Sequence, residues 1–247
     1  SNLSNNYIAG DWVKGASSIS NINPSNTNDV IGEFAQASNS QLEDALNSAQ
    51  VAQRQWAATG LEQRQAVLMK IGEEMMARSA ELGELLSREE GKPVAEGKGE
   101  VYRAGQFFTY YAAEVLRQGG DTADSVRPNI EIDVRREPMG TVAIISPWNF
   151  PTATASWKIA PALAFGNAVI WKPANLTPAS AVALTEIISK QDIPKGLFNL
   201  VMGSGSSIGQ SLAESPKVHA ISFTGSYDVG RQIAGAAARS EERRVGK

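Results

Sequence analysis

Hydrophobic positions follow a helical period in the first half of the chain. Apolar side chains recur three and four positions apart and predict three amphipathic helices. We expect these helices to begin at Ser40, near Leu61 and near Val94, and the last to end at about Arg117. Ser40 and Glu43 have the spacing of a capping box, which favours the first of these starts. The second run is long enough to contain a break before the Gly-Lys-Pro sequence that ends it.

Alternating patterns at two other places predict short strands. Tyr7–Val13 is apolar on both sides of a Gly-Asp turn, which predicts a small hairpin near the beginning of the chain. Asn129–Glu137 alternates between apolar and charged side chains, which predicts a half-exposed strand.

After residue 140, short β-branched runs alternate with helix-compatible segments. The predicted strands are Thr141–Ile145, Ala168–Lys172, Phe198–Val201 and Val218–Ser222. The predicted helices are Thr152–Phe165, Pro178–Lys190, Ser206–Ala213 and Asp228–Arg239. This order is typical of βαβ units and predicts the α/β class, with a doubly wound parallel sheet. We expect the four strands to be parallel neighbours with helices on both faces.

Composition and charge exclude several classes of function. The 247 residues are 42% hydrophobic and carry a net charge of −3, which gives no long-range attraction to nucleic acid or anionic lipid. The chain has no cysteine and one histidine, His219, which excludes disulfides, thiolate catalysis and multi-histidine metal sites. The longest apolar stretch, Ile159–Trp171, is too short to span a bilayer. We therefore expect a cytoplasmic protein without a metal, a nucleic-acid partner or a membrane anchor.

Two sets of side chains are interpreted as structural. An aromatic cluster on the third helix is expected to pack in the core: Tyr102, Phe107, Tyr110 and Tyr111. Two acidic pairs are expected to be solvated helix surface: Glu89-Glu90 and Glu241-Glu242.

The segments that follow the four predicted strands are the places to look for a ligand site. In an open parallel sheet, ligands bind beyond the carboxyl ends of the strands. These segments are Ser146–Pro151, Lys172–Asn175, Gly203–Gly209 and Phe223–Ser226.

Each segment leaves more than one interpretation open. The Gly-x-Gly-x-x-x-Gly sequence fits either a phosphate-binding turn or a plain glycine-rich turn. Lys172 fits either a solvated lysine or a donor to ribose or phosphate, and Ser226 fits an N-cap. Asn149 lies between two prolines that stiffen its loop, so its amide is a candidate donor to an oxyanion.

Together these motifs resemble the NAD(P)-dependent aldehyde dehydrogenase superfamily. Pro147-Trp148-Asn149-Phe150-Pro151, Trp171-Lys172-Pro173-Ala174, the Gly205/Gly209 turn and Phe223-Thr224-Gly225-Ser226 occur in its order and spacing. The N-terminal features Ile8-Ala9-Gly10-Asp11-Trp12, Asn23-Pro24 and Glu90-Gly91-Lys92-Pro93 are similar to it as well. The resemblance runs from about Tyr7 to about Ala238 and implies a Rossmann-like coenzyme-binding domain.

The resemblance also implies roles for individual residues. Asn149 resembles the asparagine that stabilises the tetrahedral adduct, and Lys172 resembles the lysine that contacts the adenosine ribose. Ser226 matches a residue that contacts the pyrophosphate. The full set of implied cofactor-binding residues is Ile145, Ser146, Pro147 and Trp148 on the nicotinamide side, with Lys172, Ala174, Asn175, Gly205, Gly209, Phe223, Thr224, Gly225, Ser226 and Val229.

Two departures from the family pattern change the expected activity. The chain corresponds to about the N-terminal half of the usual family length, so the nucleophilic cysteine and the general-base glutamate are not in it. We expect this polypeptide alone to be inactive. Asn175 stands where NAD-preferring members carry glutamate, and an amide there removes the repulsion of a 2′-phosphate. The expected cofactor is therefore NADP or NAD.

The resemblance implies four parts of the chain and a set of partners. Residues 1–120 form a helical part of the coenzyme domain, 121–140 an oligomerisation hairpin, 141–239 the Rossmann-like core and 240–247 an atypical tail. The partners are a small-molecule aldehyde and further copies of the chain, in a dimer or tetramer. Lys172–Pro178 resembles members that act on semialdehydes such as 2,5-dioxopentanoate. The alternatives are a nucleotide-binding or interaction module without catalysis, and a non-functional truncated product.

Overall fold

The computed structural model describes residues 3–245, and the side chains of residues 3–239. The strands are β1 (Leu3–Ser4), β2 (Asn6–Ile8), β3 (Asp11–Val13), β4 (Ser17–Ile22), β5 (Val30–Gln36), β6 (Asp121–Asp124), β7 (Glu131–Val134), β8 (Thr141–Ile145), β9 (Ala168–Lys172), β10 (Phe198–Leu200) and β11 (Ala220–Phe223). The helices are α1 (Asn39–Ala57), α2 (Leu61–Ala77), α3 (Ser79–Glu90), α4 (Val94–Glu114), α5 (Ala153–Ala164), α6 (Pro178–Ser189), α7 (Gln210–Glu214) and α8 (Tyr227–Val245). A 3₁₀ turn covers Val115–Arg117, and a π-helical turn covers Gly205–Gly209.

The main sheet has six strands in the order β11-β8-β9-β10-β2-β3. The first four are parallel, with Thr141 opposite Ala168 and Val142 opposite Ala220, which confirms the predicted parallel core. The predicted N-terminal hairpin is also present as β2 and β3, and β2 pairs antiparallel with β10 through Tyr7 and Leu200. The start of the chain therefore closes one edge of the sheet.

Helices cover the sheet in layers. The right-handed crossover rule places α5 and α6, which lead from β8 to β10, on one face, and the return through α7 to β11 on the other. The helices α2, α3 and α4 pack outside α5 and α6, and α1 packs against β8, β9 and β10. Trp56 of α1 is fully buried and donates its indole N–H to the carbonyl of Leu163 at 2.7 Å.

The N-cap of the first helix lies two residues before the predicted position. Ser38, rather than Ser40, is the N-cap, and its Oγ accepts the N–H of Gln41 at 3.1 Å. The Oε1 of Gln41 accepts the N–H of Ser38 at 3.0 Å, so glutamine completes the capping box that was predicted around Glu43. The second helical run does break, between α2 and α3, and α3 ends at Gly91 with φ +95°.

The structure corrects two predicted environments. In the aromatic cluster, Phe107 and Tyr111 are half-buried and pack against the core as predicted. Tyr102 and Tyr110 are instead exposed, and Phe108 is the fully buried aromatic of α4. Glu89 is 3% exposed, and is therefore not the solvated surface residue that was predicted. It lies where the end of α3 meets the beginning of α6. The side chains of Glu241 and Glu242 lie outside the described residues.

Two smaller sheets complete the fold. One has the order β1-β5-β4, and the other is the ribbon of β6 and β7, whose paired residues are all exposed. The predicted strand Asn129–Glu137 is shorter than expected, because pairing is confined to Glu131–Val134. Within residues 3–245, no helix is both long and apolar enough to cross a membrane. The same residues contain no group of three or more acidic, histidine or cysteine side chains that could hold a metal ion.

Candidate functional site

An open cleft lies beside the carboxyl end of β8. Its volume is about 650 Å³, and its walls come from the end of β8, the π-helical turn with α7, and α8. Four predicted cofactor residues line it: Ile145, Gly205, Gly209 and Val229. The other lining residues are Ser206, Gln210, Ala213, Glu214, Arg231, Gln232, Ile233, Gly235, Ala236 and Arg239. The cleft is large enough for a small ligand of nucleotide size.

Two glycines of this cleft are not required by packing or by backbone conformation. A Cβ at Gly205 would meet no atom within 4 Å, and a Cβ at Gly209 would meet only the Lys172 side chain at 3.6 Å. Neither glycine has a positive φ. Their lack of a side chain therefore keeps open space against the main chain, as the close approach of a phosphate or ribose requires.

Lys172 ends β9 and lies beside Gly209. It is 5% exposed, so the solvated interpretation of this lysine is wrong. Its Nζ donates to the carbonyl of Pro173 at 3.0 Å. Burial lowers the pKa of Lys172 to about 8, because the charged ammonium loses its hydration. A ligand oxygen next to this ammonium would offset part of that cost.

The loop after β8 places Asn149 at the surface. Ser146 is buried and its Oγ accepts the indole N–H of Trp171 at 2.8 Å, which ties the loop to β9. The Oδ1 of Asn149 accepts the N–H of Phe150 at 3.1 Å. This bond assigns the amide oxygen, and the NH₂ group has no hydrogen-bond partner among the described residues. An exposed and oriented donor results.

Two buried carboxylates, which the sequence analysis did not identify as functional, hold the loops after β8 and β9. Glu100 accepts the N–H groups of Thr152 and Ala153 at 3.0 and 3.1 Å, at the first turn of α5. Glu89 accepts the N–H groups of Ala179 and Ser180 at 2.6 and 2.8 Å, at the first turn of α6. Neither could be recognised from local pattern, because each contact joins residues that are far apart in the chain.

The turn from β11 into α8 is joined to the end of β8. The N–H of Thr224 donates to the carbonyl of Ile145 at 3.0 Å. A Cβ at Gly225 would lie 2.7 Å from the ring of Phe223, so a side chain here would have to displace that ring. Ser226 immediately precedes α8 and its Oγ lies 3.5 Å from the N–H of Val229, in the position of an N-cap.

Some predicted residues lie away from the cleft. Ala174 and Asn175 form a half-buried turn after β9, closed by the N–H of Thr177 on the carbonyl of Ala174 at 3.2 Å, and do not line the cleft. Pro147 and Trp148 lie with Asn149 in the loop after β8. His219 accepts the N–H of Thr141 on its Nδ1 at 3.0 Å, at the opposite end of β8 from the cleft.

Most of the α8 wall of the cleft was not predicted from the sequence. Gln232, Ile233 and Ala236 follow Val229 at intervals of three, four and seven residues, which places all four on one face of the helix. This helical spacing, applied from Val229, was the signal that could have found them.

Comparison with known proteins gives consistent matches over the chain. The pattern of the aldehyde dehydrogenase family matches residues 12–245. The 2,5-dioxopentanoate dehydrogenase of Saccharolobus solfataricus is 37% identical over 227 residues, which cover 92% of this chain and 48% of that protein. The alpha-ketoglutaric semialdehyde dehydrogenase of Bacillus subtilis is 38% identical, over 94% of this chain and 48% of that protein.

Solved structures agree in fold as well as in sequence. The betaine aldehyde dehydrogenase of Staphylococcus aureus in complex with NAD+ superposes with a TM-score of 0.93, at 32% identity over 96% of this chain and 48% of that chain. An NADP-dependent enzyme of E. coli has a TM-score of 0.93 at 35% identity, over 96% and 50% of the two chains. The chain spans about half the length of the relatives it matches. It belongs to the aldehyde dehydrogenase family.

Proposed function

We propose that the cleft between the π-helical turn and α8 binds the adenosine part of NADP or NAD. The observation that carries this proposal is the pair Gly205 and Gly209, which keep the cleft wall open beside the buried ammonium of Lys172. Lys172 would donate to the ribose hydroxyls or to a 2′-phosphate, and Ser226 at the start of α8 would contact the pyrophosphate. Family relatives bound to NAD+ support the same cofactor class.

The chain would supply the coenzyme-binding part of an enzyme that oxidises an aldehyde to a carboxylic acid. When bound, the dinucleotide supplies the hydride acceptor for this reaction. Asn149 would donate its exposed amide N–H to the oxygen of the aldehyde as negative charge develops there. Ile145, Ser146, Pro147 and Trp148 would form the wall on the nicotinamide side.

The substrate class is proposed from the relatives. Those named for 2,5-dioxopentanoate and alpha-ketoglutaric semialdehyde support a small semialdehyde as substrate of the complete enzyme. The printed sequence has no cysteine, so no thiolate is available to attack the aldehyde, and we expect no turnover by this polypeptide alone. We also propose that the complete enzyme is a homo-oligomer in the cytoplasm.

Titration calorimetry with NADP and NAD tests the binding site. We compare the unsubstituted chain with Gly205→Val, whose side chain would enter the cleft, and with Gly99→Val as a matched control. A Cβ at Gly99 also meets nothing within 4 Å, but this residue lies in α4 away from the cleft. We expect Gly205→Val to weaken both dinucleotides at least about tenfold and Gly99→Val to leave binding unchanged. Equal binding by the two variants would overturn the proposed site.

An assay of aldehyde oxidation separates the enzyme proposal from its alternative. A nucleotide-binding module without catalysis would bind the dinucleotide and show no turnover in any assembly. The proposed enzyme part would regain turnover when combined with the cysteine-bearing portion of a relative, and would lose it in Asn149→Ala. Turnover by the chain alone that is lost in Asn149→Ala would contradict the expectation of inactivity.

A further inference from the structure

We propose that Lys92 and Glu100 are positioning residues that fix the loop of Asn149 by its main chain. This inference rests on the proposed function in one respect, namely that the Asn149 amide is the donor to the aldehyde oxygen. The geometry itself does not depend on it. Neither Lys92 nor Glu100 contacts the side-chain amide of Asn149, so both would act on it through the main chain of the loop.

Glu100 uses both of its carboxylate oxygens in this arrangement. Its side chain is 2% exposed. Oε1 accepts the N–H groups of Thr152 and Ala153, which open α5. Thr152 occupies the N-cap of α5 but makes no capping bond with its own side chain, so Glu100 supplies the missing acceptor from α4. The other oxygen, Oε2, accepts from the Nζ of Lys92 at 2.8 Å.

Lys92 continues this chain of contacts to the loop. Its Nζ also donates to the main-chain carbonyl of Asn149 at 2.8 Å and lies 4.1 Å from the centre of the Phe150 ring. The Oε2 of Glu90 is 3.7 Å away. One ammonium group thus joins the loop before α5, through the carbonyl of Asn149, to the carboxylate that caps α5.

The two contacts fix opposite ends of one short segment. The carbonyl of Asn149 is held by Lys92, and the amides of Thr152 and Ala153 are held by Glu100. Between them, the N–H of Phe150 is bonded to the Asn149 side chain. Rotation of the Asn149 peptide would break the Lys92 bond, so Lys92, just before α4, restrains the orientation of the Asn149 side chain.

Stability alone does not account for this pair. A buried ion pair contributes little compared with well-packed apolar side chains of similar volume, because desolvation offsets the attraction. An apolar pair at these positions would join α4 to α5 without fixing the carbonyl of Asn149. The charged pair instead provides directional bonds to three main-chain groups of the loop.

Amide exchange measured by ¹⁵N NMR on the chain tests the proposal. We compare Lys92→Met with Lys98→Met, a matched control on α4 that loses only an exposed ion pair with Glu84. In Lys92→Met we expect the Phe150 amide to exchange at least about tenfold faster and the Asn149 NH₂ and Trp148 indole signals to shift. Lys98→Met should show neither change. Lys92→Arg keeps the charge and several donors, and we expect it to restore most of the protection.

Glu100→Gln separates positioning from helix capping. The glutamine oxygen can still accept from Thr152 and Ala153, whereas its NH₂ group faces the ammonium of Lys92 and cannot accept from it. We therefore expect fast exchange at Phe150 with continued protection at Ala153. If Lys92→Met does not fold, Glu100→Gln and Lys92→Arg still test whether Lys92 and Glu100 position the loop.

The outcomes are distinguishable from failure of the proposed function. Phe150 exchange in Lys92→Met and Glu100→Gln that equals that in Lys98→Met would overturn the positioning role. A uniform loss of protection across α4 and α5 in Glu100→Gln would show a structural role alone, and would overturn it too. Failure of the unsubstituted chain to bind NADP or NAD in calorimetry would overturn the proposed function and leave the exchange result intact.

Discussion

At the scale of single residues, Lys172 offers a test through pH. Burial lowers its pKa to about 8, so it carries its charge at pH 7 and loses most of it by pH 9. A bound 2′-phosphate stabilises the charged form and raises the pKa again, so binding takes up a proton above pH 8. We expect NADP affinity to fall about tenfold from pH 7 to pH 9.

The loss for NAD should be smaller, because a neutral amine can still bond ribose hydroxyls. Calorimetry at pH 7 and 9, in buffers of different ionisation enthalpy, measures both the affinity and the proton uptake. Lys172→Met should remove the difference between the two pH values, and Lys98→Met should keep it. An NADP affinity that is constant across this range would contradict a contact between Lys172 and the phosphate.

Asn175 is expected to decide between the two dinucleotides. A carboxylate at this turn would repel a 2′-phosphate, whereas it could accept a bond from a ribose hydroxyl. We expect Asn175→Glu to weaken NADP by about 1–2 kcal/mol while NAD binds equally or more tightly. Asn175→Gln adds the same length without charge and should leave NADP binding nearly unchanged. Equal weakening of both dinucleotides by Asn175→Glu in calorimetry would exclude charge repulsion as the cause.

The burial of Lys172 and Glu89 is a property of single residues that a local sequence pattern does not predict. Lys172 and Gly209 were candidates in the segments after the strands, and the family resemblance implied that both bind the cofactor. The burial of Lys172 could not be predicted, because it depends on a turn almost forty residues later packing against it. Glu89 was misassigned for the same reason. Its partners Asn21, Ala179 and Ser180 lie on elements far along the chain.

At the scale of elements, Glu89 caps α6 in place of a local residue. Thr177 holds the N-cap position without a side-chain bond, and Pro178 has no N–H to donate. The free N–H groups of Ala179 and Ser180 therefore go to Glu89, together with the Ser180 hydroxyl. Burial nevertheless raises the pKa of Glu89 to about 7, although these bonds favour the charged form.

This raised pKa predicts how stability changes with pH. The folded chain keeps the Glu89 proton up to about pH 7, whereas the unfolded chain loses it near pH 4.5. The stabilisation is complete below pH 4.5 and is lost as pH rises to 7. We expect the free energy of unfolding of the unsubstituted chain, relative to Glu89→Gln, to fall by up to about 3 kcal/mol over this window.

Urea denaturation at pH 5 and pH 7.5 measures this difference. Glu84→Gln is the matched control, because Glu84 lies on the same helix in an exposed ion pair. The difference in free energy of unfolding between the unsubstituted chain and Glu84→Gln should show no comparable dependence on pH. If the difference in free energy of unfolding between the unsubstituted chain and Glu89→Gln is the same at both pH values, the pKa of Glu89 is not raised by burial.

The elements themselves were largely predictable. Short β-branched runs between helix-compatible segments identified the four parallel strands and their crossover helices, because central strands covered on both faces are apolar at nearly every position. Cap positions were harder to predict, and Ser38 caps α1 because Gln41 completes a capping box as well as glutamate does. The pairing of β2 with β10 was not predicted, since nothing in a three-residue strand specifies its distant partner.

At the scale of the whole molecule, the ribbon of β6 and β7 is exposed, with no cover from the residues that the structure describes. All of its paired residues are exposed, and Ile130, Ile132 and Val134 present apolar side chains at alternate positions. A two-stranded ribbon of this kind is marginal by itself, and its free edges can pair with another strand. These features support the proposal that residues 121–140 join copies of the chain into a dimer or tetramer.

Sedimentation velocity tests this assembly. We expect the unsubstituted chain to sediment as an oligomer, because burying the row of apolar side chains against a second copy contributes about 1–2 kcal/mol for each of them. Ile132→Lys places a charge in that row and should shift the protein to monomer. Glu131→Gln, which changes the net charge by the same one unit on the alternate positions of β7, should leave the oligomer intact. A monomeric unsubstituted chain at tens of micromolar, or equal dissociation by the two variants, would contradict assembly through this ribbon.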